Sequence, residues 1–123
     1  MTVLDTITKK NVTVDGREVK ILITSGVFSE LHPIIIKQLL DSALEKLKDK
    51  TSWVVFRPEA EECSFEDEGR TCIIPLKTII PNYNEKLYAI LDDYGNVEAL
   101  QYSAGDKTIT TQYVLTLLFA SEY

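Results

Sequence analysis

The sequence holds one histidine, His32, and two cysteines, Cys63 and Cys72, among 123 residues. A Ser-His-Asp or Cys-His arrangement could use only His32, and its place directly before Pro33 points to a helix start rather than a cleft. Two cysteines without a second pair of ligands do not make a zinc site. The five glycines, at 16, 26, 69, 95 and 105, are isolated, so there is no glycine-rich phosphate loop. Enzymes without such signatures exist, but these absences weigh against catalysis and suggest no cofactor. Lys and Arg number 13 against 19 Asp and Glu, a net charge of −6. That balance argues against a broad phosphate-binding surface and makes direct nucleic-acid binding unexpected. No apolar run approaches the roughly 20 residues that span a bilayer. The opening Met1-Thr2-Val3-Leu4-Asp5 has neither the charged start nor the apolar centre of a signal peptide. The expected location is cytoplasmic, where Cys63 and Cys72 stay reduced. The glycosylation pattern Asn11-Val12-Thr13 carries no meaning there.

What is present reads as one α+β domain over residues 1–123, with hydrophobic content of 45% and charged content of 26%. Asn11 to Val14 and Arg17 to Thr24 are β-rich runs joined by Asp15-Gly16, a dipeptide suited to a type I′ hairpin turn. Val19, Ile21 and Ile23 alternate with polar residues, while Leu22 on the other face suggests partial cover there too. After Ser25-Gly26 a helix is expected, with Pro33 in its first turn. Its apolar stripe is Ile36, Leu39, Leu40, Ala43, Leu44 and Leu47, and Lys46, Lys48 and Lys50 complement its end. Trp53 to Phe56 reads as a strand buried on both faces. Arg57 to Arg70 is a polar, acidic excursion. Thr71 to Ile80 reads as a strand that is an edge, or bends, at Pro75. Lys86 to Leu91 and Val97 to Tyr102 read as a second hairpin around Asp92-Asp93-Tyr94-Gly95-Asn96. Ser103 to Lys107 makes another turn, and Thr108 to Phe119 a last strand, although a buried helix has the same composition. About seven strands would form an antiparallel sheet packed against one main amphipathic helix.

Three features bear on function. Glu59, Glu61, Glu62, Glu66, Asp67 and Glu68 crowd a ten-residue stretch without a basic residue. Such a stretch is either a solvated loop or a surface for a basic partner, and Phe65 within it would serve as an anchor or tuck into the core. Second, a two-residue turn at Asp67-Glu68 would set Cys63 opposite Cys72, close enough for a disulfide outside a reducing compartment. Third, tyrosines stand at 83, 88, 94, 102, 113 and 123, and Tyr88 and Tyr102 could share one sheet face. Asp92 and Asp93 could hold a cation through oxygen, but building a turn is the simpler role.

The stretch Ile23 to Leu31, the helix after it and Trp53-Val54-Val55-Phe56 resemble the opening of a family of small uncharacterised proteins. That family occurs in Gram-positive bacteria and their phages and plasmids. The shared pattern is a Thr-x-Gly-aliphatic turn, an acidic residue, an apolar helix and an aromatic-aliphatic strand. The resemblance carries no catalytic residue, and it implies a mobile-element origin, where small acidic proteins often inhibit host machinery.

The expected function is therefore non-enzymatic binding of another protein, as an inhibitor or immunity-type protein, through Glu61, Glu62, Phe65, Glu66 and Asp67. The alternative is a binder that sequesters a small nucleotide signal, for instance in a pocket between protomers, with Arg57, Arg70, Lys86, Tyr88 and Tyr102 supplying phosphate and base contacts. An enzyme using carboxylates and a metal ranks last.

Overall fold

The computed structural model describes residues 11–48 and 50–123. Met1 to Asp5, read above for a signal sequence, lie outside them. Among the described residues no helix is long and apolar enough to cross a membrane.

The fold is α+β. Strands β1 (Val12–Val14), β2 (Arg17–Ile23), β3 (Trp53–Arg57), β4 (Ser64–Glu66), β5 (Thr71–Pro75), β6 (Leu87–Asp93) and β7 (Tyr113–Phe119) form one sheet in the order β1-β2-β7-β6-β3-β5-β4. Asp15 and Gly16 have φ of 52° and 80°, the positive pair that a type I′ turn needs between the partners Val14 and Arg17. The sheet is mixed rather than antiparallel: β2 runs parallel to β7, and β3 parallel to β5. The reason lies in the connections. A helical crossover returns the chain from β2 to β3 in the same direction. After β3 the acidic excursion runs outward to β4, and β5 then fills the gap between them.

The crossover contains two helices, not one: α1 (Ser25–Glu30) and α2 (Pro33–Lys46). The Thr24 hydroxyl caps α1 and His32 caps α2, its Nδ1 accepting the Ile34 N–H at 3.1 Å with Pro33 in the first turn. Ile36, Leu39, Leu40, Ala43 and Leu47 are buried, as the spacing predicts. They pack on Val19, Ile21, Val54, Phe56, Cys72, Leu87, Ala89, Leu115 and Leu117 in one core.

The second expected hairpin is replaced by a helix. Val97–Ala104 is α3, capped by the Asn96 side chain, which accepts the Ala99 N–H at 2.8 Å, and closed by Gly105 at φ 66°. Glu98, Ala99, Leu100 and Gln101 are good helix formers, and one buried residue, Leu100, suffices to dock them. Leu100, Ile109, Val114 and half-buried Leu22 make a small second core beneath α3. The last strand starts at Tyr113 rather than Thr108, and it is a strand, not a buried helix.

β5 is not an edge, because β4 pairs with its outer side. Pro75 is its last residue, so the missing N–H falls where the ladder stops and a 3-10 turn, Leu76–Thr78, begins.

Candidate functional site

The acidic excursion ends in β4, the open edge of the sheet beyond β5, and all three of its residues are exposed. Phe65 is 59% exposed, so it does not tuck into the core. It pairs across the ladder with Cys72 and therefore leans toward the α2 side, where Glu45, Lys46, Lys48, Lys50, Thr51 and Gly69 surround a cavity of about 380 Å³ with it. Glu66 leans to the opposite face. Part of the negative charge is matched internally: Lys77 holds Glu61 at 2.5 Å, and Arg57 lies 3.6 Å from both Glu59 and Glu66. Among the described residues none forms an ion pair with Glu62, Asp67 or Glu68. Phe65 and Glu66 thus lie on the edge strand with their side chains on opposite faces, Glu61 and Glu62 in the bend before it and Asp67 in the turn after it.

The turn after β4 decides the cysteine question. Glu66 pairs with Thr71, so the turn takes four residues, 67–70, not two. Asp67 and Glu68 adopt φ of 52° and 57°, and Gly69 of 88°. The Thr51 hydroxyl donates to the Gly69 carbonyl at 2.6 Å and pins the turn. Phe65, not Cys63, then faces Cys72. Both cysteines are free thiols, Cys63 exposed and Cys72 buried. Burial pushes the Cys72 thiol pKa up.

The residues of the alternative site are only partly assembled. Register places Trp53, Val55 and Arg57 of β3 on the same face as Tyr88 and Ile90 of β6, opposite α2. Trp53, Tyr88 and Tyr123 pack edge-to-face there, with ring centroids 5.1 Å (Trp53–Tyr88), 5.1 Å (Trp53–Tyr123) and 5.9 Å (Tyr88–Tyr123) apart. The Lys86 ammonium lies over the Tyr88 ring, 5.7 Å from its centroid. Arg57, Lys86 and Tyr88 therefore share one face. Arg70 does not join them, since it leads into the start of β5 while Arg57 ends β3 and aligns with the last residue of β5. Tyr102 does not either: it stands on α3, 92% exposed, and shares no sheet face with Tyr88. Sequence reasoning missed Trp53 and Tyr123 as members of this cluster. Trp53 carried a signal, as an aromatic at the end of a strand whose alternate residue is Val55. Tyr123 carried none, because a turn outside the strands delivers it.

A third concavity, about 300 Å³, lies between α1 and the end of β7, lined by Gly26, Ser29, Glu30, Glu85, Phe119, Ser121 and Glu122. Nearby, the Tyr83 hydroxyl is buried beside Glu30, with no hydrogen bond of good geometry among the described residues. Desolvation, then the charges of Glu30 and Glu85, push its pKa up. Asp93 builds its turn: its carboxylate accepts the Gly95 N–H at 2.8 Å and the Gln112 amide at 2.9 Å. Among the described residues no group of three or more His, Cys, Asp or Glu is disposed to hold a metal ion. Set against protein-family models, curated proteins and solved structures, the chain gives no match.

Proposed function

We propose that the protein is a non-enzymatic binding protein, of the inhibitor or immunity type, that engages a basic surface of another protein through its β4 edge. The observation that carries this reading is an open edge that pairs the exposed Phe65 ring, whose own side also bears Lys46, Lys48 and Lys50, with Glu62, Asp67 and Glu68, which have no cation within ion-pair distance among the described residues. An aromatic anchor supplies contact area, and unmatched carboxylates steer a cationic partner and reject an acidic one. The resemblance of the opening segment to small mobile-element proteins agrees with this role.

The test is affinity capture from host lysate with three baits: wild type, Phe65→Ser, and the charge reversal Glu62→Lys with Glu68→Lys. These positions avoid the carboxylates paired to Lys77 and Arg57, so the bait stays folded. A basic polypeptide held by wild type, weakened by salt and lost by both variants fits the reading. Equal capture by all three takes the contact away from this edge.

A second reading, sequestration of a small nucleotide, draws on Lys86, Tyr88 and Arg57 lying on one face beside Trp53 and Tyr123. Arg57 is already engaged by Glu59 and Glu66, which places this reading second. Protein from its native host, heat-denatured and analysed by mass spectrometry for a released nucleotide, tests it. Stoichiometric release from wild type but not from Arg57→Ala favours a ligand site.

A further inference from the structure

The sheet's upper margin, where β2, β3, β5 and β7 end, is crossed by a short 3-10 turn, Ala120–Glu122, followed by Tyr123. The Glu122 carboxylate reaches back to α1. Its Oε1 accepts the Thr24 hydroxyl at 2.8 Å and the Phe119 N–H at 2.8 Å. The Thr24 oxygen in turn accepts the Val27 N–H at 3.4 Å, so one hydroxyl both caps α1 and holds the turn. The seat depends on a missing side chain: a Cβ on Gly26 would lie 2.6 Å from Oε2 of Glu122 and 3.0 Å from its carboxyl carbon. On the other side of the sheet Tyr123 packs against Trp53 and Tyr88. Tyr123 is nevertheless 77% exposed, and among the described residues those edge contacts and the turn are what hold its ring there.

We propose that this turn is a strap fastened at two points, Glu122 on α1 and Tyr123 on the aromatic cluster, and that the two points open together. The two points are adjacent residues joined by one planar peptide bond, and the turn that carries them is tied to the sheet. The Ala120 N–H donates to the Lys86 carbonyl at 2.8 Å, and the Tyr123 N–H closes the turn on the Ala120 carbonyl at 3.2 Å. Both points sit at the same end of one turn, on neighbouring residues, so displacing that end carries both. Release would therefore uncover Trp53 and Tyr88 and remove the acceptor that orients the Thr24 cap. The device links access to the aromatic face with the state of α1, and it does not depend on the β4 contact proposed above.

Trp53 is the one tryptophan in the chain, so its fluorescence reports on this site without labelling. Acrylamide quenching should be compared in wild type, Tyr123→Ala, Glu122→Ala, Gly26→Ala and the double variant Gly26→Ala/Tyr123→Ala. Quenching is expected to rise in Glu122→Ala and Gly26→Ala by the same fold as in Tyr123→Ala, with no further rise in the double variant. The Phe119 amide should exchange faster in the same variants. Helix propensity gives Gly26→Ala the opposite influence, since alanine favours α1, so increased Trp53 exposure there cannot come from a weaker helix. If Gly26→Ala does not fold, Glu122→Ala and Glu122→Gln carry the comparison, with Glu122→Gln intermediate. Wild-type quenching in the Glu122 variants, additive effects in the double variant, or no effect of Tyr123→Ala overturns the strap.

Discussion

The two faces of the sheet are made by the same strands and yet are finished differently. Toward α2, Val19, Ile21, Val54, Phe56, Leu87, Leu115 and Leu117 are sealed under one helical stripe. On the opposite face, among the described residues, α3 covers the corner around Leu22 and Val114, and Trp53, Tyr88 and Tyr123 lie beside Val55, Ile90 and Leu118. The sealed face is where the fold's stability is concentrated. The other face and the β4 edge are where a partner can be met without unfolding anything.

The largest test of this contrast is a charge on the sealed face. Leu40 is 3% exposed within the stripe of α2. Leu40→Asp buries an unpaired carboxylate and should cost about 5 kcal/mol or more, as much as the whole stability margin of many domains of this size. Circular dichroism should show no cooperative transition. A folded, soluble variant would mean that α2 does not seal this face.

The thiols give a second measure without mutation. Cys72 is fully buried beneath α2, whereas Cys63 stands exposed before β4. One thiol per chain should react with a thiol reagent under native conditions, and two in denaturant. Cys72 should react at least about a hundredfold more slowly, since it waits for an opening of the core. Comparable rates would show that this end of the sealed face opens freely.

That sealed half was legible in the sequence. Ile36 through Leu47 follow helical spacing, and Val19, Ile21 and Ile23 follow strand alternation, because burial on one side imposes a period. The other half was not. Val97 to Tyr102 lies between turn-forming residues as a hairpin strand would, and the helix-forming run Glu98 to Gln101, the Asn96 cap and the tertiary seat of Leu100 select a helix instead. The parallel pairs could not be read either, because they depend on where β5 inserts beside β3 and where β7 docks beside β2, long-range choices with no local period. For the candidate site, the acidic run and Phe65 were visible as composition. That they lie along an open edge was not. The cluster of Trp53, Tyr88 and Tyr123 is assembled from three separate segments, which no linear pattern announces.

On the less covered face, truncation should be tolerated. Tyr88 is half-buried and touches Trp53, Tyr123 and the Lys86 ammonium. Tyr88→Ala should cost about 1–2 kcal/mol and leave a cooperative transition in chemical denaturation. A loss as large as that from Leu40→Asp would make the two faces equal and remove the contrast.

The smallest effect is the one whose sign is most telling. Asp92 stands on the less covered face, directly across from Val114, and partial desolvation pushes its carboxyl pKa up. Lys20 occupies the same register on β2, but β7 lies between them, so it is about two strand spacings, or ~9.5 Å, away along the ladder. A carboxyl whose pKa is higher folded than unfolded binds its proton more tightly in the folded state. Its favourable contribution is complete below the unfolded pKa and is lost as pH rises through the folded one, so the charged form opposes folding at neutral pH. Glu18 is the reverse case. The Thr110 hydroxyl, which donates to it at 2.6 Å, and the Asn11 amide hold its pKa down. Its contribution is present above the ordinary carboxylate range and is lost on acidification. Asp92→Asn should therefore raise the melting temperature slightly at neutral pH, with the gain vanishing near pH ~3, below an ordinary aspartate pKa. Glu18→Gln should lower it at neutral pH, and that loss should shrink over the same interval. Thermal scans of both variants across this range would show two differences of opposite sign converging toward acid. An Asp92→Asn protein less stable than wild type at neutral pH would mean that this carboxylate is held by a partner, and that its face is more closely built than β6 and β7 indicate.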